Sequence, residues 1–295
     1  MDGKANDRKS ILMIVSSMLI FGTIGVFRRF IPLSSAFLAF ARGILGSLFL
    51  LAVLRLKKRP AGEKLPPRTL LTLAVTGALI GINWILLFEA YNYTTVAVAT
   101  LCYYMQPTIV VLLSPLVFHE ALTGKKAFCA AAAIAGMVLV SGVVGEGAPQ
   151  AGGIRGILLG LGAAVFYAAV VIMNKKAPGV DAYQKTIVQL MSAGAVMIPY
   201  LLLTGGFGGG GFSGSALVLL LVVGIVHTGI AYALYFGSMD GLNVQSIAIL
   251  SYIDPVSALL FSAVFLNERL SALSILGAGM IIGSAIVSEI RPAGK

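Results

Sequence analysis

Charge is scarce in this chain. Of its 295 residues only 11% are Asp, Glu, Lys or Arg, and 58% are hydrophobic. An ordinary soluble domain has about 25% charged and about 45–50% apolar residues. There is too little polar surface to cover a body of this size in water, so lipid is the expected solvent for most of the chain. A mean hydropathy of +0.97 agrees. Cysteine is nearly absent. Cys102 and Cys129 lie in apolar runs and read as packing residues, neither a disulfide framework nor a CxxC metal motif. The two histidines, His119 and His227, stand far apart without clustered ligands, so no zinc site is expected. No G-x-S-x-G elbow occurs, and the glycine-rich stretch at 205–214 has no Lys to meet a phosphate. Neither an enzyme nor a cofactor is expected.

Long apolar runs are abundant. A spanning helix takes about 20 apolar residues. Charge-free runs of that size recur, and two more spans follow if one buried charge is allowed in each, Arg42 in one and Asp254 in the other. The expected fold is an all-α membrane protein with ten transmembrane helices, at 10–28, 34–54, 69–89, 95–117, 124–143, 155–173, 183–203, 215–237, 243–266 and 272–290. An even number puts both termini on one side. Sixteen of the 21 Lys and Arg fall on that side, four on the other, and Arg42 lies within a span. Basic residues are retained in the cytoplasm, so both termini are expected there, with the protein in a cell (inner or plasma) membrane. The net charge of +10 is then topogenic and calls for no nucleic-acid partner. The first apolar run lacks a small-residue cleavage site and reads as a retained helix.

The two halves repeat at a constant offset of 148. Phe88, Val96, Tyr104, Pro107, Ser114, Glu120 and Leu122 recur as Phe236, Val244, Tyr252, Pro255, Ser262, Glu268 and Leu270. Thr123 and Ser271 fit as N-caps of the fifth and tenth spans, with Glu120 and Glu268 beside those helix starts. The division falls into residues 1–147 and 148–295. Five spans per half is an odd number, so the second half enters the membrane inverted relative to the first, as in many secondary transporters.

These features resemble the EamA family of the drug/metabolite transporter superfamily. The resemblance rests on the two five-helix halves, the proline in the fourth span of each and the Glu-x-Leu-Thr/Ser steps. It rests also on Phe21-Gly22-Thr23-Ile24-Gly25 and Arg42-Gly43. It covers the chain from about Ser10 to Ser288 and implies a ten-helix transporter, with a tilt toward export. The seventh span departs from the pattern: it carries no arginine, only Gln189 at roughly the Arg42 level.

Prolines at the centres of the fourth and ninth spans, Pro107 and Pro255, each remove an amide donor and free the carbonyl four residues back, at Tyr103 and Ser251. Matching broken helices at the midplane point to a transport site; the alternative is a kink that serves packing. Asp254 is the only acid at mid-membrane depth and Arg42 the only base. Either the two pair with each other, or Arg42 holds a substrate carboxylate while Asp254 binds a substrate ammonium or takes up a proton. Asn83, Trp84, Tyr103, Tyr104, Gln106, Tyr167 and Tyr252 join them as candidate substrate-binding residues, and Tyr232 and Tyr235 add further phenols. His227 in the eighth span reads as a buried hydrogen-bonded residue, with a proton relay as the alternative, so it joins Asp254 as a candidate for proton coupling. Glu89 reads as interfacial. The glycine pairs Gly77/Gly81, Gly156/Gly160 and Gly279/Gly283 permit close helix contact.

One cation and one anion suit a zwitterion such as an amino acid, moved by alternating access through a central cavity between the repeats. The alternatives are an exporter of lipophilic amines or cationic drugs, in which Arg42 is structural, and a non-transporting membrane scaffold. The expected partners are a small-molecule substrate, the lipid bilayer and a proton as coupling ion.

Overall fold

The computed structural model describes residues 2–56, 65–94, 96–140, 154–177, 179–207, 214–267 and 270–289. Its helices are α1 (Asp2–Arg29), α2 (Ser35–Leu56), α3 (Pro67–Tyr93), α4 (Val96–Tyr103), α5 (Gln106–Phe118), α6 (Gly124–Val140) and α7 (Ile154–Lys175). They continue with α8 (Ala182–Leu203), α9 (Gly214–Gly224), α10 (Ala231–Ser238), α11 (Val244–Ser251), α12 (Ile253–Leu266) and α13 (Ala272–Glu289). A π-helical turn, Ile225–Ile230, joins α9 to α10. Among the described residues there is no strand. Eight helical stretches there are long and apolar enough to cross a membrane, and Ala272–Ser288 is a shorter apolar helix. The expected span 124–143 ends, as described, with α6 at Val140. Glu268 lies outside the described residues, as does most of the glycine-rich stretch.

Three boundaries differ from the sequence reading. α1 begins at Asp2, because nothing in the polar leader breaks a helix that the apolar run nucleates. α3 begins at Pro67, in the first turn where a missing amide is harmless, and runs on to Tyr93. The eighth span is interrupted by the π turn, for which the sequence offers no proline as a signal.

The fourth and ninth spans break where the prolines foretell. The breaks fall at Tyr104-Met105 and at Tyr252, about one turn before Pro107 and Pro255. Both close with a tight bond to the carbonyl three residues back, from Met105 N to Cys102 O and from Tyr252 N to Ile249 O, each 3.2 Å. The N-caps are as expected in kind: Thr123 Oγ1 accepts from Lys126 N, and Ser271 Oγ from Ser274 N.

Helix pairing closes a ring. Its order is α1, α9–α10, α2, α8, α3, α7, α4–α5, α11–α12 and back to α1. α6 and α13 pair with each other outside the ring and lie against α11 and α12. Large apolar side chains remain exposed on the outward faces, among them Leu116 on α5 and Leu203 on α8. In water that would be an aggregation liability; in lipid it is the expected surface.

Small residues set the closest approaches. A Cβ on Gly77 would lie 2.3 Å from Gln189 O, and one on Gly81 2.7 Å from Ala193 O, so α3 and α8 touch backbone to backbone. Gly156 and Gly160 likewise meet Thr94 and Cys102. Gly279 and Gly283 correct the sequence reading: among the described residues, a Cβ on either would meet nothing within 4 Å. The close contact of α13 is made instead by Gly277, against Gly136 of α6.

Overpacking a tight contact costs about 1–3 kcal/mol, whereas Gly→Ala at an open helix position gains up to about 1 kcal/mol of helix propensity. Gly77→Ala and Gly136→Ala should therefore lower the melting temperature of the detergent-solubilised protein, and Gly283→Ala should leave it unchanged or raise it. Equal effects in all three would contradict these packing assignments.

Candidate functional site

The centre of the ring holds both mid-span charges and a cluster of aromatic side chains. α2 presents Arg42, half-buried, with its guanidinium over the Trp84 ring of α3 at 4.7 Å from the centroid. A cation on an indole face is held by the ring quadrupole, worth up to about 2 kcal/mol when desolvated. The buried Nε of Arg42 has no hydrogen-bond partner. Across the lumen, Asp254 in the first turn of α12 accepts a 3.1 Å hydrogen bond from Tyr104 Oη at the opposite helix break. Among the described residues no ion pair joins Arg42 to Asp254. The two charges face the same space without neutralising each other.

Aromatic rings fill the interval. Tyr103 packs on Tyr104 at 5.5 Å and on Tyr167 of α7 at 6.0 Å. Tyr103 lies in the electrostatic range of both Arg42 and Asp254. Tyr232 of α10 stands edge-on to Trp84 at 6.5 Å and to Phe21 of α1 at 5.1 Å. Tyr235, one turn along, meets Phe21 at 6.4 Å. Phe21, Tyr232 and Tyr235 belong to this cluster; the sequence reading names the two tyrosines only as further phenols and Phe21 only within its motif. Only the packing of α1 against its ring neighbour α10 brings them together.

The remaining candidates divide. Gln106 is buried beside Pro107, and its Nε2 donor has no partner. Asn83 is fully buried, but its amide donates to Ala163 O of α7 at 2.7 Å and so holds a helix seam. Tyr252 is turned to Thr108 of α5, at 2.7 Å, and ties the two broken spans together. Each break thus sends a phenol to the other broken span: Tyr104 to Asp254, Tyr252 to Thr108. His227 sits in the π turn, bonded to Thr23 Oγ1 at 2.7 Å and edge-on to Phe27. Glu89 is more than interfacial: it accepts from Tyr200 Oη at 2.7 Å and so links α3 to α8. Gln189, at the level compared with Arg42, donates to Asn174 Oδ1 between α8 and α7. Among the described residues no group of three His, Cys, Asp or Glu could hold a metal ion.

A closed ring of membrane-length helices around a partly polar, aromatic-lined centre is the build of a multi-pass membrane transporter. The comparisons with known proteins agree. The EamA-like transporter family matches this sequence twice, over residues 8–142 and 154–289, and the chain belongs to that family. An uncharacterized transporter of Bacillus subtilis, YxxF, is 29% identical over 286 residues, covering 97% of this chain and 91% of its own length. An uncharacterized transporter of Archaeoglobus fulgidus is 29% identical over 276 residues, covering 93% of this chain and 94% of its own. Protein PecM of Dickeya dadantii is 27% identical over 238 residues and covers 77% of each. One protein crystal structure, 21% identical, superposes with a TM-score of 0.80 over 94% of this chain and 97% of its own; that likeness concerns the fold alone.

Trp84 is the only tryptophan in the chain and is 3% exposed, so its emission reports this site alone. Arg42→Ala lifts the cation from the indole face and should shift that emission. Asp254→Asn should leave it nearly unchanged, because the carboxylate does not hold the guanidinium in place. An equal shift in both variants would reveal a pair that this geometry lacks.

Proposed function

We propose that this chain is a secondary transporter of small zwitterions, amino acids foremost, working by alternating access through the centre of the ring. The observation that carries the reading is the separation of Arg42 and Asp254. A static pair would satisfy both charges and leave nothing for a substrate. Unpaired, they match a substrate carboxylate at Arg42, where bidentate geometry is available, and a substrate ammonium at Asp254. The aromatic walls suit the apolar part of such a molecule. Asp254 is also the residue to carry a coupling proton, since a carboxylate in lipid must be paired, hydrated or neutral. The family's many exporters favour the outward direction. The reading places the protein in the cell membrane with both termini cytoplasmic, by the distribution of basic residues.

The same reading takes residues 1–147 and 148–295 as two inverted five-helix repeats, ten spans in all. The helix contacts support it. Exchanging each span with its counterpart five places on returns the same ring order. Asn83 donates to Ala163 O across the seam between α3 and α7, and Ser17 to Ala231 O across the seam between α1 and α10. Asn83 and Ala231 are related by the offset of 148.

A second reading has its own observation. The stacking of Arg42 on Trp84 already shields the guanidinium, which would leave Asp254 and the aromatic rings to bind a lipophilic amine. Uptake of labelled neutral amino acids into proteoliposomes, with and without a proton gradient, separates the two. A hydrogen bond to a charged group contributes about 1.5–3 kcal/mol, so Arg42→Ala should weaken amino-acid uptake by about 10- to 100-fold. Asp254→Asn should abolish its gradient dependence. Absence of amino-acid uptake together with amine uptake indifferent to Arg42→Ala would replace the zwitterion by a cation.

A further inference from the structure

The ring is joined unevenly at the seam between its two broken spans. On the face that carries the basic loops, α5 packs against α11. Toward the other face the corresponding halves, α4 and α12, make no comparable contact; α4 leans on α7, and α12 on α1. In a twofold arrangement α5–α11 and α4–α12 are equivalent contacts, so the present asymmetry describes a state of the molecule.

The closed half of the seam is fastened by polar side chains. Glu120, just beyond α5, accepts from the backbone amide of Val244 at the N-terminus of α11, at 3.2 Å through Oε1. A carboxylate there satisfies an orphan amide and favours the helix dipole. Gln245 donates to Ser114 Oγ at 2.7 Å and to Glu120 O at 3.3 Å. Ser114 in turn donates to Val111 O, the carbonyl freed by Pro115. Lys126 donates to Asn243 Oδ1 at 2.7 Å. Every one of these bonds runs from α5, α6 or the turn between them, except the one inside α5, to the start of α11. The sequence reading took Glu120 as a local helix-start element; its carboxylate instead crosses to the other half.

We propose that Glu120 is the latch of the cytoplasmic seam: its bond to the α11 N-terminus holds α5 against α11, and its release lets the two broken spans part on that face. The inference rests on the alternating-access reading above, but its test needs no substrate. Ser114 is fully buried behind the latch, so Ser114→Cys, in a protein carrying Cys102→Ala and Cys129→Ala, reports opening of the seam. Its labelling by a membrane-impermeant maleimide is followed in inside-out vesicles. Parent labelling should be slow. Glu120→Ala should speed it about tenfold, the effect of losing one hydrogen bond to a charged group. Glu120→Gln, which keeps an oxygen for the Val244 amide, should speed it less. Ser47→Cys, buried between α2 and α8 on helices that take no part in this seam, is made in a parallel cysteine-free protein as a control for general loosening, and Gln245→Cys serves as the probe if Ser114→Cys does not fold. An unchanged rate in Glu120→Ala, or an equal rise at Ser47→Cys, would overturn the latch. Failure of the transporter reading would show in the uptake assay and leave the labelling result standing.

Discussion

The placement of one guanidinium governs this structure. Arginine cannot discard its charge within a bilayer, so Arg42 must find a carboxylate, water or a π face. It finds the face of Trp84. That choice frees Asp254, whose visible partner is Tyr104. Had Arg42 reached Asp254, the centre of the ring would be a closed ion pair. With the charges apart, the centre is left to a cluster of aromatic residues: Phe21, Tyr103, Tyr167, Tyr232 and Tyr235. The tight glycine contacts at Gly46, Gly77 and Gly81 then do more than fill space. Those at Gly77 and Gly81 draw α3, which carries Trp84, onto α8, and that at Gly46 draws α2, which carries Arg42, onto the π turn.

A second constraint comes from the backbone. Lipid offers no partner for a carbonyl that a proline has freed. Behind Pro115 the freed carbonyl of Val111 is met by Ser114, whereas at Pro107 and Pro255 the helices break, and the breaks exchange phenol hydrogen bonds, Tyr104 to Asp254 and Tyr252 to Thr108. The breaks therefore hold the Asp254 carboxylate and join the two halves of the chain at once. They also divide each span into two segments that can pack independently, and the asymmetric seam between α5–α11 and α4–α12 depends on that division.

Much of this was legible in the sequence. Hydropathy located the spans, and Pro107 and Pro255 located the breaks to within a turn. The isolation of Arg42 and Asp254 among apolar residues marked them as central. The sequence could not rank the aromatics. Tyr252 and Asn83 looked as suitable as Tyr232, and only the ring order turns the first two into seams and the third into the lumen. The π turn around His227 was hidden because it needs no proline or charge. The open faces of Gly279 and Gly283 were hidden because a glycine pair signals permission for contact, and the partner decides whether contact occurs. Glu120 was misplaced for a related reason: its neighbour Thr123 explained it locally, while its hydrogen bond lies on a helix start more than a hundred residues away.

The claim on which the account rests is that Arg42 and Asp254 serve the two ends of one ligand. Trp84 emission allows this to be measured directly, by titrating the purified protein with a neutral amino acid, with its decarboxylated amine and with its deaminated acid. The account predicts that the amino acid binds at least about tenfold more tightly than either analogue, the step expected for losing one charge-assisted contact. An amine that binds as tightly as the amino acid would contradict it.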